Sequence, residues 1–422
     1  DADALDAIRA LGSLDSRQPF DFKQNPSSSI RKLEGLIPRP QADRCLEKLK
    51  EIELSTEIDS VDGHPSYHVN LIVDGKKVDS EELEGLLSSV EKAVYEDLLP
   101  KAREMMDNEK IVVSDVFFRR YGQYEIESFG KRRGISGHYD CFSAVTAVVA
   151  LDDVAAEGSN GLFTIAFDDN SCMLCHTSCR RFFPLKRGDA VMHDWKTIHG
   201  VDVEPDKDRA SLVVWFSVEG EQRRAVPSWI SSGKIGDFVK GIASENSLLD
   251  GDEIHPHDLY LSSAALGNAF ALNRLGGLLE EEGLSPERVV VARDLLKGMR
   301  GLPGHWALEG AEDCSTNLAR KAWYQAAIRG MAMALLALGD DVMGDALWGE
   351  EQEEGNGDEG RRQDMKIFAA KCIGLAAQQG CQEGIEAAER ILEAERSAAS
   401  EELFDKSPAV EIVRECLKTR ST

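Results

Sequence analysis

Positive charge is what this chain has too little of. Its 422 residues include 49 Lys and Arg against 75 Asp and Glu, a formal net charge of −26. A nucleic-acid partner needs a basic patch that displaces counterions from phosphates, and the basic clusters here are small. Long apolar runs are also missing: no stretch reaches the ~18 residues that mark a membrane-spanning helix. Cysteine is too sparse for a disulfide-built protein, nine in this length, and the odd count leaves at least one thiol unpaired within the chain. The sequence starts at Asp1 rather than Met, so the lack of a leader segment says nothing about compartment. What is present is an acidic chain, 42% apolar, with enough length for two domains and a sizeable core.

The most informative residues are His138 and Asp140, in Gly137-His138-Tyr139-Asp140, with His199 following in Trp195-Lys196-Thr197-Ile198-His199-Gly200. Two imidazoles and one carboxylate can occupy one face of an octahedral iron(II) and leave three positions open. Arg209 comes ten residues after His199. If Asp189 to Trp195 is one strand and Ser211 to Val218 the next, His199 follows the first and Arg209 opens the second, so both face one cavity. A planar guanidinium there grips a carboxylate through two parallel hydrogen bonds and stays charged at any working pH. His193 lies inside the first of these strands and reads as a packed residue or one behind the ligands. His64 and His68, in the turn-rich Gly63-His64-Pro65-Ser66-Tyr67-His68, read as surface or loop residues.

These residues carry a family resemblance. The region from about Val112 to Val218 resembles the iron(II)/2-oxoglutarate dioxygenases, and within them the prolyl-4-hydroxylase-like group. Arg120-Tyr121-Gly122-Gln123-Tyr124 is similar to the strand and turn before the metal motif of that group. Pro184-Leu185-Lys186-Arg187-Gly188-Asp189-Ala190 is similar to the turn before the distal histidine, and His199-Gly200-Val201 to the distal motif. The resemblance implies a double-stranded β-helix, or jelly roll. It implies iron(II) on His138, Asp140 and His199, 2-oxoglutarate held by Arg209 with help from Tyr121, dioxygen as oxidant and ascorbate as reductant. It further implies hydrogen removal from an unactivated carbon, hydroxylation, and conversion of 2-oxoglutarate to succinate and CO2. Ring closure or desaturation of a small amino-acid-derived acid, as in the kainoid-forming enzymes of the same superfamily, is the alternative. Asp140, where halogenases have Gly or Ala, points to oxygenation or cyclisation.

Two departures stand out. The insert from Tyr124 to Gly137 is longer than usual for the group, and Gly158-Ser159-Asn160-Gly161-Leu162-Phe163 only partly matches its Gly-Gly-x-Thr turn. Lys131, Arg132 and Arg133 in the insert could meet an acidic substrate, but read better as exposed cations on a loop. Cys172-Met173-Leu174-Cys175-His176 with Cys179 fits the patterns of a covalent haem attachment and of a zinc knuckle. Position between strands disfavours haem and the adjacent Cys175 and His176 disfavour zinc, leaving a disulfide or loop thiols as the preferred reading.

Periodicity predicts a helix from about Ala42 to Ile52 and another from Ser80 to Leu99, the latter with Leu83, Leu86, Leu87, Val90, Val94 and Leu98 on one face and Pro100 ending or kinking it. Short apolar runs predict strands at Ile111–Val113, Val116–Phe118, Val145–Leu151, Leu162–Phe167 and Leu212–Phe216. Strands cease after Pro227, and from Asp258 Ala, Leu and Gly recur at helical spacing. Ala264-Ala265-Leu266-Gly267 with Gly276, Ala326-Ala327-Ile328-Arg329-Gly330 with Gly339, and Ala376-Ala377-Gln378-Gln379-Gly380 form three copies of a repeat. The copies are spaced unevenly, Gly267 to Gly330 being 63 residues and Gly330 to Gly380 being 50. Ala322 to Gly330 resembles the Sel-like repeats, relatives of tetratricopeptide repeats. The acidic run from Gly349 to Asp364 reads as a solvated loop.

The expectation is therefore an α+β chain, with an iron/2-oxoglutarate jelly-roll domain and its N-terminal helices in residues 1–240, then an all-α helical-repeat domain in 241–422. The substrate is a small molecule or a peptide, the repeats offer a surface for a protein partner, and no nucleic acid or membrane span is expected. A non-enzymatic scaffold built on the repeats is disfavoured, because a retired site has no physical reason to keep His138, Asp140, His199 and Arg209 together.

Overall fold

The computed structural model describes residues 18–23, 29–59, 61, 65–122, 125–126, 130–132, 134–153, 160–165, 179–204, 207–221, 226–246, 255–299, 314–348, 359–379, 381–398 and 407–418. The chain divides into two compact units, one holding Arg17–Ala166 and Arg180–Pro256, the other the helices from His257 onward. No helix among the described residues is long and apolar enough to cross a membrane.

In the first unit, two short strands, β1 (Gln18–Pro19) and β2 (Ile30–Leu33), precede helix α1 (Arg39–Glu51). The hairpin of β3 (His68–Val73) and β4 (Lys76–Lys77) leads to helix α2 (Glu81–Lys92). The helix does not stop before Pro100 as its sequence predicts. One wide turn, Ala93–Leu98, lets the Leu99 N–H reach back to the Val94 carbonyl, and helix α3 (Leu99–Met106) continues with Pro100 in its first turn. A proline there loses nothing, because a first-turn N–H has no partner within its own helix.

The two strands predicted at 111–113 and 116–118 are one, β5 (Ile111–Tyr121), whose register to its partner shifts at Trp215/Phe216. After the small hairpin of β6 (Glu125–Ile126) and β7 (Gly130–Lys131) come β8 (Gly134–His138), β9 (Val145–Ala150), β10 (Gly161–Ile165), β11 (Arg180–Phe182), β12 (Ala190–Asp194), β13 (His199–Asp202) and β14 (Arg209–Val218). The larger sheet contains the order β12-β9-β14-β5 and the smaller the order β11-β10-β13-β8. All pairings within these two sets are antiparallel. This is the jelly-roll arrangement, an antiparallel core that keeps eight strands in two sheets.

Alternation along the strands sorts the core into two layers. On one face of the larger sheet, Val145, Ala147, Val149, Leu212, Val214 and Phe216 pack with Ala42, Leu86, Val90, Val94 and Leu98 of the helices. The near-certain sequence reading of the α2 face as core packing therefore holds. Each such buried Leu contributes on the order of 2 kcal/mol. The opposite face places Tyr121, Val148, Ala150 and Val191 with Ile135, Leu162 and Val201 of the smaller sheet. That inner layer carries the functional residues. Helix α4 (Lys234–Glu245) follows the last strand and sets Phe238 edge-on to Tyr139, 6.1 Å between ring centroids.

The second unit is helical: α5 (Pro256–Ala265), α6 (Ala269–Glu280), α7 (Pro286–Lys297), α8 (Ser315–Ala327), α9 (Ala332–Trp348), α10 (Glu359–Gln378), α11 (Gln382–Ala398) and α12 (Pro408–Lys418). Glu359 to Asp364, expected within an acidic loop, form the first turns of α10; residues 349–358 of that run lie outside the described residues. After α5, α8 and α10 the chain makes the same bond, from the N–H of Asn268, Met331 and Cys381 to the carbonyl five residues earlier, Ser263, Ala326 and Ala376. Gly267 and Gly330 hold φ of +80° and +82° at these turns, a conformation glycine adopts without cost. Nine residues beyond each, Gly276 and Gly339 sit where a Cβ would lie 2.4 Å from Trp323 Nε1 and 2.7 Å from Ile373 Cγ1.

Candidate metal centre

His138 ends β8, His199 opens β13, and the two are direct partners across the strand pair, with ring centroids 4.5 Å apart. Asp140 follows two residues beyond His138. Its carboxylate lies between the imidazoles, Oδ1 3.6 Å from His138 Nε2 and Oδ2 3.4 Å from His199 Nε2. The three ligand atoms are all within 4.8 Å of one another, and no other such cluster occurs among the described residues.

Backbone carbonyls fix which nitrogen faces inward. His138 Nδ1 lies 2.8 Å from the Ser136 carbonyl and His199 Nδ1 3.3 Å from that of Thr197. A carbonyl only accepts, so each Nδ1 carries the proton and each Nε2 turns a lone pair toward Asp140. Thr146 on β9 donates to Asp140 Oδ2 at 2.6 Å and orients the carboxylate. Burial works to raise the Asp140 pKa, but the His199 and His138 imidazoles outweigh it and hold the group far below the usual carboxylate range. Burial and the adjacent His193 and His138 rings keep His199 well below an ordinary imidazole against the pull of Asp140. His138 is shifted the other way: burial opposes its charge, but the hydrogen bond and charge of Asp140 prevail and raise it. The set presents two imidazoles and an ionised carboxylate, the donors of a facial iron(II) site.

Arg209 is the first residue of β14, opposite Tyr121 of β5, and is only 1% exposed. None of its three guanidinium nitrogens has a hydrogen-bond partner. Burial depresses its pKa, with Asp152 and Tyr121 acting against that. An unpaired buried cation costs several kcal/mol, and a bound carboxylate removes that cost. Space for this guanidinium depends on Gly161, at φ +89°, where a Cβ would lie 2.6 Å from Arg209 Nη1. The donor set therefore fits a divalent metal, and the orphaned cation fits an anionic co-substrate.

His193 packs on His199, 4.1 Å between centroids, with Nδ1 3.1 Å from the Asp194 carbonyl, as a residue behind the ligands. Three sequence expectations need comment. His68, read as a loop residue, is buried in β3 with Nδ1 3.0 Å from the Ser66 carbonyl, because the strand carries it inward. Arg132, read as an exposed cation, is 7% exposed and bonds Asp59 and the Pro65 and Gly134 carbonyls. His64, Arg133, Cys172, Cys175 and His176 lie outside the described residues, and Cys179 immediately precedes β11. Thr146, Arg119 and Asp59 were missed. Only Thr146 leaves a trace in the sequence, a lone hydroxyl within the apolar run Val145 to Ala150.

No protein-family model matches the chain, and no curated protein matches it. Solved structures do. A 2OG-Fe(II) oxygenase family protein from Burkholderia pseudomallei aligns over 46% of this chain and 88% of its own, at 16% identity and TM-score 0.34. A prolyl hydroxylase from Trichoplax adhaerens, solved with a hypoxia inducible factor peptide fragment, aligns over 50% and 91% at 11% identity and TM-score 0.34. A Pseudomonas putida prolyl-4-hydroxylase aligns over 47% and 97% at 14% identity and TM-score 0.32. At this distance the function is argued from the site itself.

Proposed function

We propose that this chain is an iron(II)- and 2-oxoglutarate-dependent oxygenase. The observation that carries the reading is the pairing of a two-histidine, one-carboxylate cluster with a fully buried, unpartnered Arg209 on the same inner layer. His138, Asp140 and His199 hold the metal, which when loaded supplies the oxidising power to remove hydrogen from an unactivated carbon. Arg209 anchors the far carboxylate of 2-oxoglutarate, and Tyr121, its strand partner, lies alongside. Thr146 and the two backbone carbonyls keep the ligands oriented. The apolar inner layer of Val148, Val191, Leu162 and Val201 excludes water around the reacting carbon. Hydroxylation is the default outcome, and ring closure or desaturation of a small acid uses the same hydrogen removal. The helical unit is a Sel-like stack that offers a partner surface; the equivalent turns after α5, α8 and α10 support that reading.

The test is succinate release by the purified protein with iron(II), 2-oxoglutarate and ascorbate, alongside separate titrations of Mn(II) and of 2-oxoglutarate. His199→Ala is expected to weaken metal binding by at least about 100-fold, and Arg209→Met to weaken 2-oxoglutarate binding similarly while sparing the metal. Wild-type protein that binds neither would sink the reading.

A further inference from the structure

Beside the metal ligands lies a second buried charge cluster that neither the triad nor Arg209 uses. Arg119 stands on β5 two residues before Tyr121 and directly across from Ser211, so it leaves the strand on the same inner face. One of its terminal nitrogens donates to Asp59 Oδ2 at 2.6 Å and to Ser66 Oγ at 2.7 Å. Arg132 reaches the same Asp59 oxygen at 3.4 Å. Both guanidiniums lie over the Tyr121 ring, 5.9 and 6.0 Å from its centroid. Asp59 and His138 are close enough to shift one another's charge, so the cluster borders the metal site.

Two guanidiniums here share one carboxylate. The other titratable neighbours do not balance them: burial holds His68 toward its neutral form and pushes the Tyr121 phenol up, while Glu57, 4.0 Å from His68 Nε2, is 79% exposed. One positive charge is left over in a site from which water is largely excluded, and Arg119 Nε is buried without a partner. A buried surplus cation is stabilised by an anion.

From this we infer that Arg119 and Arg132 receive a carboxylate of the substrate, which is a small acid. Asp59 tunes the grip by neutralising one of the two cations. A small acid fits better than an internal peptide segment, whose backbone is uncharged. The word substrate rests on the oxygenase reading; the anion site does not.

The test uses full-length protein with Mn(II) and 2-oxoglutarate and without dioxygen. N-acetyl-L-proline, N-acetyl-L-leucine and benzoate are titrated by calorimetry against their neutral amides. The acids are expected to bind at least about tenfold more tightly than the amides. Arg119→Met erases that preference and Arg119→Lys keeps part of it. Asp59→Asn strengthens acid binding by about a further tenfold and leaves the amides unchanged. A cluster that only ties chain segments together would make both substitutions weaken binding alike, and that result would overturn the inference. So would equal binding of acids and amides in the wild type and in Asp59→Asn. Loss of the preference in Arg209→Met would also overturn it, by placing the acids on that arginine. If Mn(II) and 2-oxoglutarate fail to bind while the preference persists, the carboxylate site stands and the oxygenase reading falls.

Discussion

A single hydroxyl governs the direction of the metal-binding carboxylate. Thr146 Oγ1 donates to Asp140 Oδ2, and Thr146→Val keeps the shape while removing that bond. Metal affinity is expected to fall by about 10- to 100-fold, read by Mn(II) titration, with the fold intact by circular dichroism. The triad also sets a pH dependence. His138 must lose its proton to bind metal, and Asp140 raises its pKa above the ordinary value of about 6.5. Metal affinity should therefore begin to fall at a higher pH than a free imidazole would dictate, and then drop by up to about tenfold per unit toward pH 6. In the metal-free protein the sign is opposite: the His138 shift stabilises the fold below about pH 6.5 and that contribution is lost as pH rises through its raised folded value. The gain in thermal stability on adding metal should thus be larger at pH 8 than at pH 6, and an equal gain would contradict the assigned shift. The triad was legible because His138 and Asp140 are nearly adjacent in sequence and His199 sits just past an apolar strand. Thr146, Arg119 and Asp59 were not, because their roles arise from contacts between segments that no local spacing connects.

At the scale of elements, the jelly roll works by bringing strand ends together. β8 ends and β13 begins at the metal, while β14 begins at Arg209 beside the end of β5. Gly161 opens β10 at the point where Arg209 needs room. Gly161→Ala combines a strained φ with a Cβ pressed on the guanidinium, and should cost about 1–3 kcal/mol of stability. It should also raise the KM for 2-oxoglutarate by at least about tenfold with metal affinity unchanged; an unchanged KM would show that Arg209 does not hold the co-substrate. Strand runs were readable from apolar alternation, yet β5 was split in two. Ser114-Asp115 interrupts its pattern, and only the pairing with β14 shows that the chain continues through it. The wide turn before Pro100 was likewise hidden, since the sequence shows where a proline must break a bond and not how the neighbouring turn relaxes.

The molecule as a whole carries two cores with separate determinants. Gly276→Ala would press a methyl onto Trp323 in the helical unit and cost about 1–3 kcal/mol by overpacking. Because the metal ligands belong to the other unit, the variant should bind Mn(II) as the wild type does; a change in that affinity would show that the two units are coupled. The repeat was legible from small residues at recurring offsets, although uneven spacing obscured its regularity. Gly276 meets Trp323 and Gly339 meets Ile373, and each of those large residues stands seven before the glycine of the following copy, Gly330 or Gly380. Successive copies are thus matched by a fixed lock and key at the contact, whatever the length of chain between them. Evolution can therefore lengthen or rewrite the spacers at 300–313 and 349–358 without disturbing how one copy recognises the next.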